Sequence, residues 1–258
     1  MDRARDPVEF GALFGGAVRS IELKVLCALP IRSVMEELGP KFECASPHKL
    51  VTMFASLGAV LRHVEDGGPV DVVLAPRQAL ERLVSDGKVA DDEVAVIARA
   101  RIGLAVCKQA PRPDISSVDS LRRALLAAKA ITYSHPSWGG VSGAHVERAL
   151  DRLGIADEMK TRTVFAQSPG GDGLGALLAS GEAEIAAHQI QELVRVPGVE
   201  IIGPLPDDLQ EPIEFSAGAA VGTAFPEAVR SLIAFLFTQE AAAVIRAKGM
   251  EPVSSTGA

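Results

Sequence analysis

The feature that most constrains this chain is an alternation, repeated along most of its length, of short apolar runs with segments whose apolar residues recur at helical spacing. Ile21–Ala28 reads as a strand. Pro30 stands where a helix begins, since its missing N–H costs nothing there. Ile31, Val34, Met35 and Leu38 follow at i, i+3, i+4, i+7, one apolar helix face. Lys49–Phe54 is a second strand, followed by a helix carrying Val60, Leu61 and Val64 that Gly67-Gly68-Pro69 stops. Asp71–Ala75 is almost wholly apolar, as expected of a parallel-sheet strand covered on both faces. Leu80 and Leu83 mark the next helix.

Val94–Cys107 is extended and rich in Val, Ile and Ala, and it is longer than an ordinary strand. That length predicts a segment crossing between two lobes. A second unit of the same kind begins after Pro111–Pro113. Its predicted elements are a helix over Leu121–Ala128, a strand over Ala130–Ser134, a helix with Val146, Ala149, Leu150 and Leu153 closed by Gly154, and a short strand at Thr163–Phe165. A helix with Leu174, Leu177 and Leu178 then stops at Gly181, and strands follow at Glu184–Ala187 and Val199–Ile202. Ile213–Val221 reads as the return crossing, and two terminal helices carry Val229, Leu232, Ile233 and Leu236, then Ala241–Ala247.

Strand–helix alternation of this kind predicts an α/β protein with mostly parallel sheets and right-handed crossovers. Two such units place a ligand cleft between them, at the carboxyl ends of strands. The predicted boundaries are an N-terminal extension over 1–19, a first lobe from 20–104 plus 217–258, and a second lobe over 105–216.

Composition sets the function classes. The chain has 258 residues, 48% hydrophobic and 23% charged, enough apolar content for a real core. Its net charge is −7 and no basic run appears, so nucleic acid is not an expected partner. Cys27, Cys44 and Cys107 show neither C-x-x-C spacing nor a paired framework, and Cys27 reads as a small buried hydrophobe. Residues 1–20 carry Asp2, Asp6 and Glu9 and only a weak, glycine-rich apolar stretch, which does not match a secretory signal. No window reaches the ~18 apolar residues of a membrane span, so membrane insertion is not expected. The chain as written reads as cytoplasmic, or as periplasmic if its start is trimmed or misassigned; a membrane permease is a partner only for an exported form.

Four loops that lead from strands into helices are rich in small and polar residues. They contain Leu29, Pro30 and Arg32; Ser56 and Gly58; Ser137, Trp138, Gly140 and Ser142; and Pro169 and Gly171. Free N–H groups and the dipole at a helix start favour an anion, glycine lets backbone approach closely, and serine adds a hydroxyl. The same residues are also ordinary caps and turns, and it is their recurrence in four loops that points to one anion site. The third loop carries the only tryptophan. His188 and Gln189, after an apolar strand, read either as donors to a carboxylate or as satisfied polar residues at a strand end. Arg32 reads as a bidentate carboxylate partner or as a solvated arginine. His135, His188 and Tyr133 are the candidates for moving a proton. P-loop, nucleophile-elbow and zinc-protease motifs are absent, and the five histidines show no metal-ligand spacing with the cysteines, so neither a metal nor another cofactor is expected.

Several phrases resemble the periplasmic molybdate-binding protein family. They are Phe54-Ala55-Ser56, Gly67-Gly68-Pro69-Val70-Asp71-Val72-Val73, Pro113-Asp114-Ile115-Ser116-Ser117, Ser180-Gly181-Glu182-Ala183-Glu184-Ile185, Gly203-Pro204-Leu205-Pro206, Phe215-Ser216-Ala217-Gly218 and Lys248-Gly249-Met250-Glu251-Pro252. The resemblance runs from about Ile21 to the end and is best to a divergent, molybdate-binding-like branch that includes aconitate isomerase. It implies a two-lobed periplasmic-binding type 2 fold. Where molybdate binders resemble one another in a serine at the end of the first strand, this chain has Pro30, which cannot donate; Ser56 stands near the second family serine. A buried oxyanion loses about 1–3 kcal/mol for each missing donor. An organic carboxylate is therefore the expected ligand. Isomerisation of an unsaturated tricarboxylate is the alternative, and a molybdate or tungstate receptor ranks behind both. A regulatory ligand sensor ranks last, since no DNA-binding segment is attached.

Overall fold

A computed structural model describes residues 19–138, 141–167 and 171–254. In chain order the elements are β1 (Glu22–Ala28), α1 (Arg32–Ala45), β2 (Lys49–Ala55), α2 (Leu57–Glu65), β3 (Val72–Pro76), α3 (Arg77–Ser85) and β4 (Ala95–Ala100). Then come β5 (Ile102–Cys107), α4 (Val118–Ala127), β6 (Ile131–Tyr133), α5 (Val141–Arg152), α6 (Ala156–Lys160) and α7 (Gly171–Ser180). The last are β7 (Ile185–Gln189), α8 (Ile190–Leu193), β8 (Val199–Pro204), β9 (Ile213–Ala219), α9 (Pro226–Phe235), α10 (Gln239–Ala247) and β10 (Glu251–Pro252). The described residues divide into two compact units: 19–97 with 215–245 and 252–254, and 98–214 with 246–251.

The first unit is built on a six-stranded sheet in the order β10-β4-β9-β3-β1-β2. Strand β1 pairs in parallel with β2 and β3, and Ala28 lies opposite Ala55. All five residues of β3 are buried, which is why Asp71–Ala75 reads as a continuous apolar run, whereas edge strand β2 leaves Lys49, Val51 and Met53 exposed. Leu26 and Val73 from the sheet meet Val60 of α2 and Leu80 and Leu83 of α3 in one core cluster. The second unit has a four-stranded sheet, β6-β7-β5-β8, with a core of Ala105, Ala186, Leu174, Leu178 and Leu193.

Three sequence expectations are corrected. The long segment Val94–Cys107 is two strands that break at Arg101, because β4 belongs to the first sheet and β5 to the second. Arg101 itself is held at the break by Asp207 and by Glu251 at 2.7 Å. The strand expected at Thr163–Phe165 reduces to a single bridge between Ile131 and Thr163. Phe165 instead turns its ring to Tyr133 and His135, at 5.2 and 4.5 Å between centroids. The sheets are also less parallel than expected: β9 runs antiparallel to β3, and β5 antiparallel to β7 and β8. Parallel neighbours require a helical crossover, and β5 and β9 are entered without one. Pro30 stands at a helix start as the sequence predicts, within the 3-10 turn Leu29–Ile31 that leads into α1.

Helix α5 approaches the end of β6 closely. A methyl group at Gly143 would overlap the Ser134 carbonyl oxygen and crowd Pro136 at 3.3 Å, so only glycine fits there. Gly58, in α2, has nothing closer than the Arg62 guanidinium at 3.4 Å. Gly143→Ala is expected to destabilise the protein by about 1–3 kcal/mol. Gly58→Ala, a helix position with room, is expected to be neutral or stabilising by up to ~1 kcal/mol. Urea unfolding of both variants checks this; equal effects would contradict the packing assigned to Gly143.

Candidate functional site

In the first unit the parallel register brings the ends of β1 and β2 side by side. Leu29, Pro30 and Arg32 therefore lie beside Ser56 at one edge of the sheet. None of α1, α2 and α3 has a side-chain cap at its start. Ser56 is the N-cap residue of α2, yet its exposed hydroxyl makes no capping bond; its carbonyl accepts the Ala59 and Val60 N–H groups at 2.9 Å. Helix N–H groups without a side-chain acceptor are the chemistry an anion seeks. Leu29 is exposed beside them. Arg32 already has a partner: its Nε donates to Glu36 at 2.6 Å, and its guanidinium lies 5.3 Å from the centre of the Phe54 ring. Gly58 lies one residue inside α2, clear of any tight contact.

In the second unit the parallel pairing of β6 and β7 sets Tyr133 opposite Ala187, which brings Ser134 next to His188. Successive side chains of a strand point to opposite faces, so Ser134 and His188 share one face while Tyr133 and His135 take the other. His188 is 3% exposed. Its Nδ1 accepts the Gln189 N–H at 2.7 Å, so in this arrangement the ring carries its proton on Nε2. Nε2 lies 3.2 Å from Glu192 Oε2 and 3.2 Å from Ser134 Oγ. Neither ring nitrogen presents a lone pair to a ligand. Serine and carboxylate also meet the same nitrogen, which is not the two-sided arrangement a nucleophilic serine requires.

Glu192 extends this network to α7. Burial pushes its carboxyl up, but the hydrogen bond and electrostatic attraction of His188, the charge of Arg195 and the Gly171 N–H outweigh burial and hold it below the usual value. Gly171 is also held close to the Glu192 backbone, since a Cβ there would sit 2.6 Å from the Glu192 carbonyl oxygen. Gln189 is buried, and its Oε1 accepts the Gln191 side-chain amide at 2.7 Å. Ser142 is buried in the first turn of α5.

The other face holds the remaining candidates. Tyr133 is 5% exposed; burial, then the nearby Glu147 carboxylate, push its phenol up, against a hydrogen bond with Thr163. His135 Nδ1 meets the Ser137 hydroxyl at 2.7 Å. Trp138 ends the 3-10 turn Pro136–Trp138. Gly140 and Pro169 lie outside the described residues. The three proton-moving candidates thus fall into two groups on opposite faces. Sequence reasoning missed Glu192 and undervalued Ser134. The signals were the i, i+4 spacing from His188 to Glu192 across a strand-to-helix turn, and the strand register that sets Ser134 beside His188.

The family described as bacterial extracellular solute-binding protein matches residues 23–251. An aconitate isomerase from Pseudomonas is 33% identical over 90% of this chain and 88% of its own. The molybdate-binding protein of Azotobacter vinelandii is 26% identical over 94% of this chain and 95% of its own. Among solved structures, the substrate-binding domain of a putative molybdenum transporter from Clostridium difficile has a TM-score of 0.77 at 16% identity, covering 91% of this chain and all of that one. The periplasmic molybdate-binding protein of Azotobacter vinelandii has a TM-score of 0.70 at 22% identity, covering 88% and 98%. The fold is that of type 2 periplasmic solute-binding proteins. No single helix among the described residues is long and apolar enough to cross a membrane.

Because the Glu192 carboxyl is held below its ordinary value, its contribution to stability is complete above pH ~4.5 and is lost as pH falls through the folded value. Glu192→Gln is expected to cost about 1–3 kcal/mol at neutral pH, and the gap to wild type is expected to narrow as pH falls below that value. Urea unfolding at neutral and acid pH measures both. A gap that stays constant into acid would mean the carboxylate is not what holds the network.

Proposed function

Because the chain belongs to the bacterial extracellular solute-binding protein family, we propose that it binds a small organic polycarboxylate. The observation that carries this reading is Pro30. At the end of β1, where an oxyanion shell needs a donor, the chain has a residue with neither N–H nor hydroxyl. A tetrahedral oxyanion needs donors on every side, whereas a polycarboxylate has an apolar backbone that tolerates Leu29 and Pro30 between its charged ends. Ser56 and the N–H groups at the start of α2 bind one carboxylate. The Arg32 guanidinium, released from Glu36, binds another in a forked pair. In the second unit the network of Ser134, His188 and Glu192 holds the start of α7 through Gly171.

The 33% identity to an aconitate isomerase over 90% of the chain favours a second reading, turnover of an unsaturated tricarboxylate. An allylic proton shift leaves the composition of the substrate unchanged and needs one group to remove a proton and one to return it. On this reading His188 positions the site and another group carries the proton, because its Nε2 is already protonated and its Nδ1 accepts the Gln189 N–H.

Thermal unfolding with citrate, cis-aconitate, trans-aconitate, molybdate and tungstate tests the proposal. Tricarboxylates at ~100 times the dissociation constant are expected to stabilise the chain by about 2.7 kcal/mol. Arg32→Gln is expected to weaken that binding about tenfold. Stabilisation by molybdate or tungstate alone would overturn the carboxylate reading. Proton NMR of cis-aconitate with catalytic amounts of protein in heavy water separates the two readings: a binder leaves it unchanged, and an isomerase converts it with deuterium uptake.

A further inference from the structure

The face of the second unit opposite His188 carries a cavity of about 470 Å³ that the anion site does not use. Three rings form its aromatic part. Phe165 meets Tyr133 edge-on at 5.2 Å and 80°, and meets His135 at 4.5 Å and 61°. Leu150, from α5, adds apolar surface. Around this floor stand three exposed carboxylates, Glu147 and Asp151 from α5 and Asp157 from α6, against one ammonium group, Lys160.

The charges are unbalanced in a way the protein does not itself relieve. Glu147 and Asp151 are i, i+4 neighbours on α5, a spacing at which like charges repel. None of the three carboxylates enters an ion pair among the described residues. Their field reaches the floor, where Glu147 and Asp151 both push the Tyr133 phenol up after the larger effect of burial. A carboxylate ligand is therefore repelled from this cavity. A bare metal ion does not fit either, since no three His, Cys, Asp or Glu side chains among the described residues are grouped to hold one. An aromatic floor with a negative rim, in a volume typical of small-molecule pockets, suits a larger cation with apolar substituents.

We propose that this cavity is a second ligand site, one that takes a small organic ammonium ion, with the cationic head over the Phe165 and Tyr133 rings and inside the rim of Glu147 and Asp151. The proposal does not rest on the anion reading, since the cavity is lined by none of the residues assigned to the anion.

Titration calorimetry with choline as probe tests it, against the uncharged alcohol in which carbon replaces the quaternary nitrogen. Choline is expected to bind saturably, and the uncharged analogue at least about tenfold more weakly, given the strength of cation–π and ionic contacts. The Glu147→Gln/Asp151→Asn double variant is expected to weaken choline binding roughly fivefold to tenfold, while Lys160→Gln tightens it severalfold. The opposite signs distinguish a charge effect from loss of structure, and circular dichroism checks that each variant folds. Absence of saturable choline binding, equal binding of the uncharged analogue, or unchanged affinity in both variants would overturn the proposal.

Discussion

The buried contact between His188 and Glu192 is the interaction on which the second unit's loop geometry depends. One imidazole at the end of β7 reaches Ser134 at the end of β6 and Glu192 at 3.2 Å each, and Glu192 accepts the Gly171 N–H at the start of α7. Two strand ends and a helix start are thereby tied to one ring. A buried carboxylate is costly unless hydrogen-bonded, and Glu192 meets that demand by binding the groups that shape the loops. Close approach follows from the same contacts: Gly143 and Gly171 are glycines because backbone carbonyl oxygens occupy the space of a side chain.

The first unit reaches a similar end by simpler means. Parallel pairing of β1 with β2 and β3 aligns three strand ends, and each leads into a helix whose start lacks a side-chain cap. Strand register brings the loops that carry Pro30 and Ser56 to the same end of the sheet, and Arg32 follows in α1. The chemistry offered there is backbone N–H, one hydroxyl and one guanidinium already paired with Glu36. Such a surface offers donors to an anion, while Pro30, without an N–H, offers none.

Much of this was legible in the sequence, for definite reasons. The apolar run Asp71–Ala75 was readable because β3 is buried on both faces, and the face of Val34, Met35 and Leu38 because α1 buries one stripe. The break at Arg101 was not readable. Apolar residues continue on both sides of it, and only the separate sheets of β4 and β5 divide them. Among the site residues, His188 and Gln189 were visible as polar residues ending an apolar strand. Glu192 was not, since a glutamate one turn into a helix reads as solvated surface until a buried ring is found beside it. Tyr133 and His135 lay close to Ser134 in sequence but belong to the opposite face, a separation that follows from strand alternation and becomes decisive only once the register is known.

The network turns on where the His188 ring carries its proton: on Nε2, with Nδ1 accepting the Gln189 N–H. Nitrogen-15 NMR of imidazole-labelled protein at neutral pH measures it directly. A protonated Nε2 with an unprotonated, hydrogen-bonded Nδ1 is the predicted signature. A proton on Nδ1 would contradict the network and would return His188 to the groups able to take a proton from a ligand through Nε2.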